Sequence, residues 1–175
     1  MTKFLHLTAA IAALSLTATP ATAAPVGPTG GAANNAKASA KIVKPLTLVA
    51  TQDLSLGTIL LAGAGAYTAT VSLTHAGVWS CANANVTCSG AYQVAKYKVT
   101  GTNNQIVTIN AGDVTMTNAN DPTKTLLLTT SNPGTMNLGN SGALGTEFSL
   151  GGAITVSDTT TDGTYNGIFN VTVDY

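Results

Sequence analysis

The final stretch of the chain, Gly163-Thr164-Tyr165-Asn166-Gly167-Ile168-Phe169-Asn170-Val171-Thr172-Val173-Asp174-Tyr175, decides the fold. Every second residue from Tyr165 to Tyr175 is apolar or glycine, and the residues between them are polar except for Ile168. A period of two predicts a strand with one buried face. Because this strand runs to the last residue, we expect the chain to end within a sheet, near its centre.

The composition of the whole chain agrees with a β structure. Only 8% of its 175 residues are charged, whereas about a quarter are charged in an average protein, and 18 residues are glycine. Such a chain favours strands and turns over helices. We predict a cleaved signal peptide at 1–23, a flexible Pro/Gly/Ala leader at 24–38 and one β-sandwich domain at 39–175.

Short alternating segments, separated by turn residues, extend through the predicted domain. They predict an all-β fold, an Ig-like or Greek-key sandwich of about eight to ten short antiparallel strands. We expect the first strand at 39–51, bent at Pro45. The segment 92–100 carries two lysines and predicts an edge strand. Gly151-Gly152 indicates a hairpin turn between two strands.

The N-terminus has the pattern of an export signal. Lys3 precedes the short apolar run 5–18, and Ala21-Thr22-Ala23 fits a cleavage site. We expect cleavage after Ala23, with Ala24 as the neighbouring alternative, and a location in the periplasm, at the cell surface or outside the cell. A membrane anchor is the less favoured reading, because the run is short for a span. No membrane span is predicted after cleavage.

The only two cysteines, Cys81 and Cys88, lie close together in the sequence. In an oxidising compartment such a pair is expected to form a disulfide. A redox or metal pair is the alternative. The spacing is wider than C-x-x-C and no further cysteine could complete a metal site.

Residues that could support catalysis are few. Beyond the predicted signal peptide His75 is the only histidine, and the carboxylates show no catalytic spacing. The segment 158–163 superficially resembles a calcium loop but lacks the alternating oxygen ligands, so turn chemistry is favoured. The chain has no arginine and no basic stripe, which argues against nucleic-acid binding. We predict no enzyme activity, no catalytic residues, no metal site and no cofactor.

Trp79 is the candidate for ligand stacking, because an exposed indole can pack on a sugar ring. Packing of Trp79 over the Cys81–Cys88 disulfide, or over one end of the sandwich, is the favoured alternative.

Several segments resemble the secreted bacterial family called domain of unknown function 4402. They are Pro45-Leu46-Thr47-Leu48, Asp53-Leu54-Ser55-Leu56-Gly57-Thr58-Ile59, Tyr97-Lys98-Val99-Thr100-Gly101, Gly151-Gly152-Ala153-Ile154-Thr155-Val156 and the closing stretch 163–175. Leu56 stands where the family more often has an aromatic residue, and the Cys81–Cys88 loop resembles an insertion. The resemblance implies export and the fold but no catalytic residue.

The closing stretch is also similar to the last strand of chaperone–usher pilins and spore-coat-U-like subunits. In those incomplete sandwiches the N-terminal segment of a neighbour supplies the missing strand. This likeness implies an exported structural or adhesive surface protein that self-associates, or joins other surface subunits, by strand addition. Segment 39–51 would either insert into a neighbour or pair within its own chain. A monomeric carbohydrate- or surface-binding module is the alternative function.

Overall fold

Thirteen strands, all paired antiparallel, form the part of the chain described by a computed structural model, residues 36–140 and 144–175. The predicted all-β fold is confirmed, and the strands are more numerous than eight to ten because several span only two to four residues. No helix within these residues is long and apolar enough to cross a membrane. The predicted signal peptide, its cleavage at Ala23 or Ala24, and most of the leader lie outside the described residues.

The strands are β1 Thr47–Gln52, β2 Thr58–Leu61, β3 Thr68–Leu73, β4 Trp79–Ser80, β5 Val86–Ser89, β6 Ala95–Thr100, β7 Ile106–Ala111, β8 Val114–Asn118, β9 Thr125–Ser131, β10 Thr135–Asn137, β11 Thr146–Ser157, β12 Tyr165–Asn166 and β13 Val171–Asp174.

These strands form three sheets. The largest has the order β1-β6-β11-β9-β8-β12, and β3 and β4 continue from β11. A three-stranded sheet has the order β10-β7-β13, and β2 pairs with β5 in a two-stranded sheet. The apolar faces of the sheets pack on one another as expected for a sandwich.

The long strand β11 joins two hydrophobic cores. Phe148 and Leu150, in its first half, pack with Val107 and Ile109 of the three-stranded sheet. Ile154 and Val156, in its second half, pack in a core that includes residues of β3, β5, β8 and β9. The side chains of alternate residues point to one face of a strand, so a single strand supplies both cores.

The predicted hairpin at Gly151-Gly152 is wrong, because both glycines lie inside β11. A Cβ atom on Gly151 would lie 2.0 Å from the carbonyl oxygen of Leu73, and one on Gly152 would lie 2.6 Å from Leu128 Cδ1. The glycines therefore allow β3 and a side chain of β9 to approach β11 closely. The two adjacent glycines therefore mark close packing around β11 and not a turn of the chain.

Two other strand predictions need correction. The first strand begins at Thr47 and not near residue 39, because Pro45 cannot donate to a ladder. The strand predicted as an edge, β6, pairs with β1 on one side and β11 on the other. Its residues Lys96 and Lys98 are half-buried and mark a face of the sheet, with Lys98 directly opposite Glu147 of β11.

Candidate functional site: a groove between two unpaired strand edges

The closing stretch has the predicted alternation of burial. Tyr165, Phe169, Val171 and Val173 are half-buried, and the polar residues between them are exposed. Ile168, the exception in the pattern, is 90% exposed. The sequence therefore assigned the inner face correctly for these four residues, whereas Gly167 and Tyr175, expected on the same face, are exposed.

The stretch is not one central strand, and that expectation was wrong. It forms β12, which pairs with β8, and then β13, which pairs with β7. Between them the chain passes Gly167, where a Cβ atom would lie 2.5 Å from Val114 Cγ1. Phe169 then packs against both hydrophobic cores. Within the described residues, β12 and β13 each end a sheet, so each has an unpaired edge.

The direction of the hydrogen bonds shows which backbone groups lie on the open edge of β13. The Ile109 N–H donates to the Gly134 carbonyl, on the β10 side of β7. Backbone groups alternate in direction along a strand, so Asn110, the ladder partner of Thr172, faces β13. Thr172 therefore bonds β7, and the N–H and C=O groups of Val171 and Val173 point away from it.

The first strand supplies a second unpaired edge beside this one. Among the described residues β1 pairs only with β6, and β13 pairs only with β7. The two strands are connected at one end by Tyr175, whose hydroxyl donates to the Lys44 carbonyl at 2.6 Å. The Tyr175 oxygen also accepts from the Thr102 N–H at 2.8 Å.

A groove of about 520 Å³ lies between the unpaired edge strands β1 and β12, and Gln52 and Tyr165 line it from these two strands. Its walls include Leu54, just after β1, and Phe169, just before β13. Tyr97 and Met116 line it from β6 and β8. We name this groove, between β1 with the following residues 53–54 and β12 with the following residues 167–169, the edge groove. Its lining mixes apolar side chains with the polar groups of Gln52, Asp53 and Asn166, and its volume suits the side chains of a bound peptide.

Tyr97 lies in the wall of the edge groove and stacks on Phe148, with ring centroids 5.4 Å apart. Burial raises the pKa of the Tyr97 phenol above its ordinary value of 10.0, and the negative charge of Asp53 raises it further. Asp53 lines the same groove. Tyr97 is thus held as a neutral hydroxyl in this wall.

The segment before β1 is accessible. Every residue from 36 to 45 is exposed and belongs to no strand, and Ile42 is 90% exposed. Apolar residues alternate with Lys37, Ser39 and Lys41 in this segment. We name residues 36–43 the N-terminal arm. The sequence left open whether segment 39–51 pairs within its own chain, and the structure divides it: β1 pairs within the chain and the arm does not.

One protein-family model matches the part of the chain that contains all of these strands. The model of the family described as "Domain of unknown function (DUF4402)" matches residues 46–175, which include every strand from β1 to β13. The chain belongs to this family. No curated protein and no solved structure matches the chain.

The family's description assigns no function, so functional evidence must come from the residues themselves. The edge groove lies within the matched region, whereas the N-terminal arm precedes it. The predicted pairing of Cys81 with Cys88 is present in this member. The disulfide joins the end of β4 to β5, which pairs with β2, so it fastens the two-stranded sheet to the rest of the sandwich.

Trp79 lies next to this disulfide, and its ring is half-buried against the core that contains β3 and β5. Tyr92 stacks on it, with ring centroids 4.6 Å apart and planes 3° apart. Tyr92 is 49% exposed, so the outer ring of the pair is the more accessible one. The prediction that a ligand stacks at Trp79 stays a prediction, and Tyr92 provides a second ring at the same place.

Segment 158–163, which superficially resembles a calcium loop, is held to the neighbouring turn by a hydrogen bond. Buried Asn118 accepts hydrogen bonds from the N–H groups of Asn120 and Asp121, and its amide donates to the Asp162 carbonyl. Hydrogen bonds from Thr123 lower the pKa of Asp121. Across residues 36–140 and 144–175 no group of three or more His, Cys, Asp and Glu is placed to hold a metal ion.

His75 lies in the turn after β3, and no carboxylate of the described residues is hydrogen-bonded to it. Its Nδ1 and its backbone N–H both contact Ser131 Oγ, at 3.0 and 3.1 Å. This contact holds the turn after β3 against β9. The sequence missed Ser131 because nothing in the local pattern connects two residues that far apart.

Proposed function

We propose that this chain is an exported, non-catalytic structural or adhesive surface protein, a pilin-like subunit that assembles by accepting a strand. The observation that carries the proposal is the open edge of β13. There the backbone groups of Val171 and Val173 point away from β7. An exposed row of unpaired backbone groups is a template for another strand.

An added strand would satisfy two needs of this edge. It would pair the backbone groups of Val171 and Val173, which otherwise bond only to water. It would also cover Phe169, Val171 and Val173, which stay half-buried although they lie on the inner face. Burial of apolar area and main-chain hydrogen bonds together give strand addition its affinity.

Export is supported by two features of the chain. The N-terminal residues have the charged start, the short apolar run and the small-residue site of a signal peptide. The Cys81–Cys88 disulfide is of the kind that persists in oxidising compartments. Both agree with work outside the cytoplasm, where a surface subunit assembles.

The experiment is to purify the protein from residue 24 onward, with the disulfide formed, and to follow assembly by light scattering and unboiled gels. We expect heat-sensitive multimers. Val173→Pro removes an edge N–H that does not bond β7, and should reduce the multimer fraction about tenfold, equivalent to about 1.4 kcal/mol. Val173→Ala keeps that N–H and is the matched control for the lost side chain.

The thermal unfolding of each variant shows whether its monomer is intact. A wild type that stays monomeric at every concentration would contradict the proposal. So would a folded Val173→Pro variant that assembles as well as Val173→Ala.

The stacked pair Trp79–Tyr92 favours a second candidate, a carbohydrate- or surface-binding module. The exposed ring of Tyr92 offers a flat apolar face, which is what a sugar ring packs on. A glycan array with wild type, Trp79→Ala and Tyr92→Ala tests it, with Tyr67→Ala as the control. Loss of binding in Trp79→Ala and Tyr92→Ala alone would support the module, and equal signals from all four proteins would exclude it.

A further inference from the structure

We propose that the edge groove binds a small organic cation, a primary ammonium ion with an apolar body. Its nitrogen bonds the Asp53 carboxylate and the Tyr97 hydroxyl, and its apolar body packs on Met116 and Phe169. The proposal goes beyond assembly by strand addition, because no residue of β13 lines the groove.

The groove has the size and the lining of a small-molecule site. Its volume of about 520 Å³ falls within the range of about 300–1,000 Å³ that is usual for such sites. Leu54, Met116, Leu128 and Phe169 supply apolar side chains to its walls. A few polar groups among apolar side chains are the usual means by which a pocket orients its ligand.

Asp53 gives the groove its charge. It is the only charged residue among those that line the groove. Its backbone carbonyl accepts from Gln93 Nε2 at 3.1 Å, whereas its carboxylate has no hydrogen bond or ion pair within the described residues. By contrast, the carboxylate of Asp113 accepts from the Thr130 N–H at 2.8 Å. The Asp53 carboxylate is therefore available to a ligand.

No lysine among the described residues neutralises this charge from the walls of the groove. Lys96 and Lys98 flank Tyr97 in β6, and the alternation of side chains along a strand puts them on the opposite face. Lys98 lies directly opposite Glu147 of β11. The groove therefore has a negative potential, which favours a cationic ligand over an anionic one.

The charge of Asp53 acts on the Tyr97 hydroxyl in the same groove. Burial is the larger cause that raises the pKa of this phenol, and the charge of Asp53 raises it further. The negative potential that disfavours a phenolate beside Asp53 favours a cation at the same place.

The polar side chains of the groove offer oxygen atoms to an N–H donor. Gln52 Nε2 donates to the Val94 carbonyl at 2.8 Å, which leaves Gln52 Oε1 to accept from a ligand. The Tyr97 oxygen has no hydrogen-bond partner within the part of the chain that the structure describes. A primary ammonium ion carries several N–H donors and no acceptor. It therefore matches the oxygens of Gln52, Asp53 and Tyr97 together.

Aromatic rings in the walls add to the preference for a cation. The Tyr97 ring is held by its stack on Phe148, with ring centroids 5.4 Å apart. The Tyr165 ring is held by its hydroxyl, which donates to the Thr161 carbonyl at 2.8 Å. The negative face of such a ring attracts an ammonium ion. Because both rings are already fixed, a ligand loses little free energy in ordering them.

Three probes with one apolar body and different charges test the site: phenylbutylammonium, phenylbutanol and phenylbutanoate. Each is titrated into the protein purified from residue 24 onward with the disulfide formed, and binding is followed by calorimetry and by the NMR signals of the tyrosine rings. We expect the ammonium ion to bind about tenfold more tightly than the alcohol, equivalent to about 1.4 kcal/mol. The carboxylate should bind most weakly, because Asp53 repels it.

Asp53→Asn removes the charge and keeps the shape of the side chain. Asp53 is exposed, so thermal unfolding of this variant should match that of wild type. We expect its affinity for the ammonium ion to fall about tenfold and its affinity for the alcohol to stay the same. Asp174→Asn is the matched control, because Asp174 is exposed on the outer face of β13 and lies outside the groove.

Tyr92→Ala is a second control, because the stacked Trp79–Tyr92 pair offers another aromatic surface to the probes. Neither of these residues lines the edge groove. We expect Tyr92→Ala to bind the ammonium ion as tightly as wild type does.

Equal binding of the ammonium ion and the alcohol to wild type would overturn the cation site, and so would a lack of saturable binding by all three probes. A preference for the ammonium ion that survives in folded Asp53→Asn would overturn Asp53 as its anchor. Loss of binding in Tyr92→Ala would overturn the groove as the place of binding. A preference that is lost in Asp53→Asn and kept in both controls supports the proposal.

The result is independent of the proposed function. Val173→Pro should leave the affinity for the ammonium ion unchanged, because Val173 does not line the groove. A wild type that binds the ammonium ion and stays monomeric would contradict only the strand-accepting subunit. A wild type that assembles and does not distinguish the three probes would contradict only the cation site.

Discussion

The hydroxyl of Tyr175, the last residue, donates a hydrogen bond of 2.6 Å to the carbonyl of Lys44, 131 positions earlier in the chain. Through this contact the C-terminal residue fixes the chain where it enters β1. Gly101 lies beneath it, since a Cβ atom there would be 2.6 Å from the Tyr175 oxygen. The contact connects the segment before β1 to the end of β13.

Removing this hydroxyl should therefore destabilise the fold. Tyr175→Phe leaves the Lys44 carbonyl and the Thr102 N–H without their partner. We expect the free energy of unfolding to fall by about 1–2 kcal/mol in chemical denaturation. Tyr92→Phe is the control, because the Tyr92 hydroxyl has no hydrogen bond within the described residues. Equal stability of the two variants would show that the Tyr175 contact contributes nothing.

The continuity of β11 depends on Gly151. Gly151→Ala would place a methyl group 2.0 Å from the Leu73 carbonyl oxygen, which is backbone and cannot rotate away. We expect a loss of about 3 kcal/mol or more, measured by thermal or denaturant unfolding. Gly112→Ala is the matched control, since no heavy atom lies within 4 Å of its Cβ position. A Gly151→Ala protein as stable as the control would contradict the close approach of β3 to β11.

The disulfide should stabilise the fold without supporting assembly. Replacing Cys81 and Cys88 together by serine should lower the free energy of unfolding by about 2–3 kcal/mol, the value for so short a loop. The edge groove contains neither residue. Light scattering on the folded variant should therefore show wild-type multimers, and their selective loss would place the disulfide in the assembly contact.

Alkaline pH should loosen the groove wall at Tyr97. The pKa of its phenol is raised above 10.0 by burial and by Asp53. A raised pKa means that the stabilisation is fully present below about pH 10 and is lost as the pH rises through the higher value. Tyr97→Phe keeps the stack on Phe148, and we expect its stability to fall less between pH 9 and 12 than that of wild type, measured by denaturant unfolding. An identical decline in both proteins would contradict the role of this phenol.

The face pattern of the closing stretch could be predicted from the sequence, but its neighbours could not. Alternation told which side chains turn inward, and the burial of Phe169 and Val173 agrees with it. The neighbours of a strand in a sheet are set by hydrogen bonds between backbone groups, and these groups do not differ from one side-chain type to the next. The sequence could therefore not show that β12 and β13 belong to different sheets.

The two lysines of β6 illustrate the same limit. Lys96 and Lys98 were interpreted as marks of an edge, yet β6 has a partner on both sides. A charged side chain reports that one face of a strand reaches water. It reports nothing about the edges, because hydrogen bonding to neighbours lies in the plane of the sheet and side chains lie across it.

The candidate site could be predicted only in part. The accessible arm and the closing strand were both identified from the sequence as candidates for strand exchange. Tyr97 and Met116 were not, because they reach the groove from β6 and β8. The hydrogen bond between Tyr175 and Lys44, which lie 131 positions apart, was not predicted either. Contacts over such separations have no local pattern in the sequence.

The sequence by itself determined the all-β class, the paired cysteines and the inner face of the last strand, since composition and a period of two act within a few residues. Only the tertiary structure decided that β11 runs unbroken through Gly151-Gly152 and that, among the described residues, β1 and β12 keep open edges beside one groove. The physical reason is that side-chain burial is encoded along the chain. The pairing of edges depends on which segments meet in space.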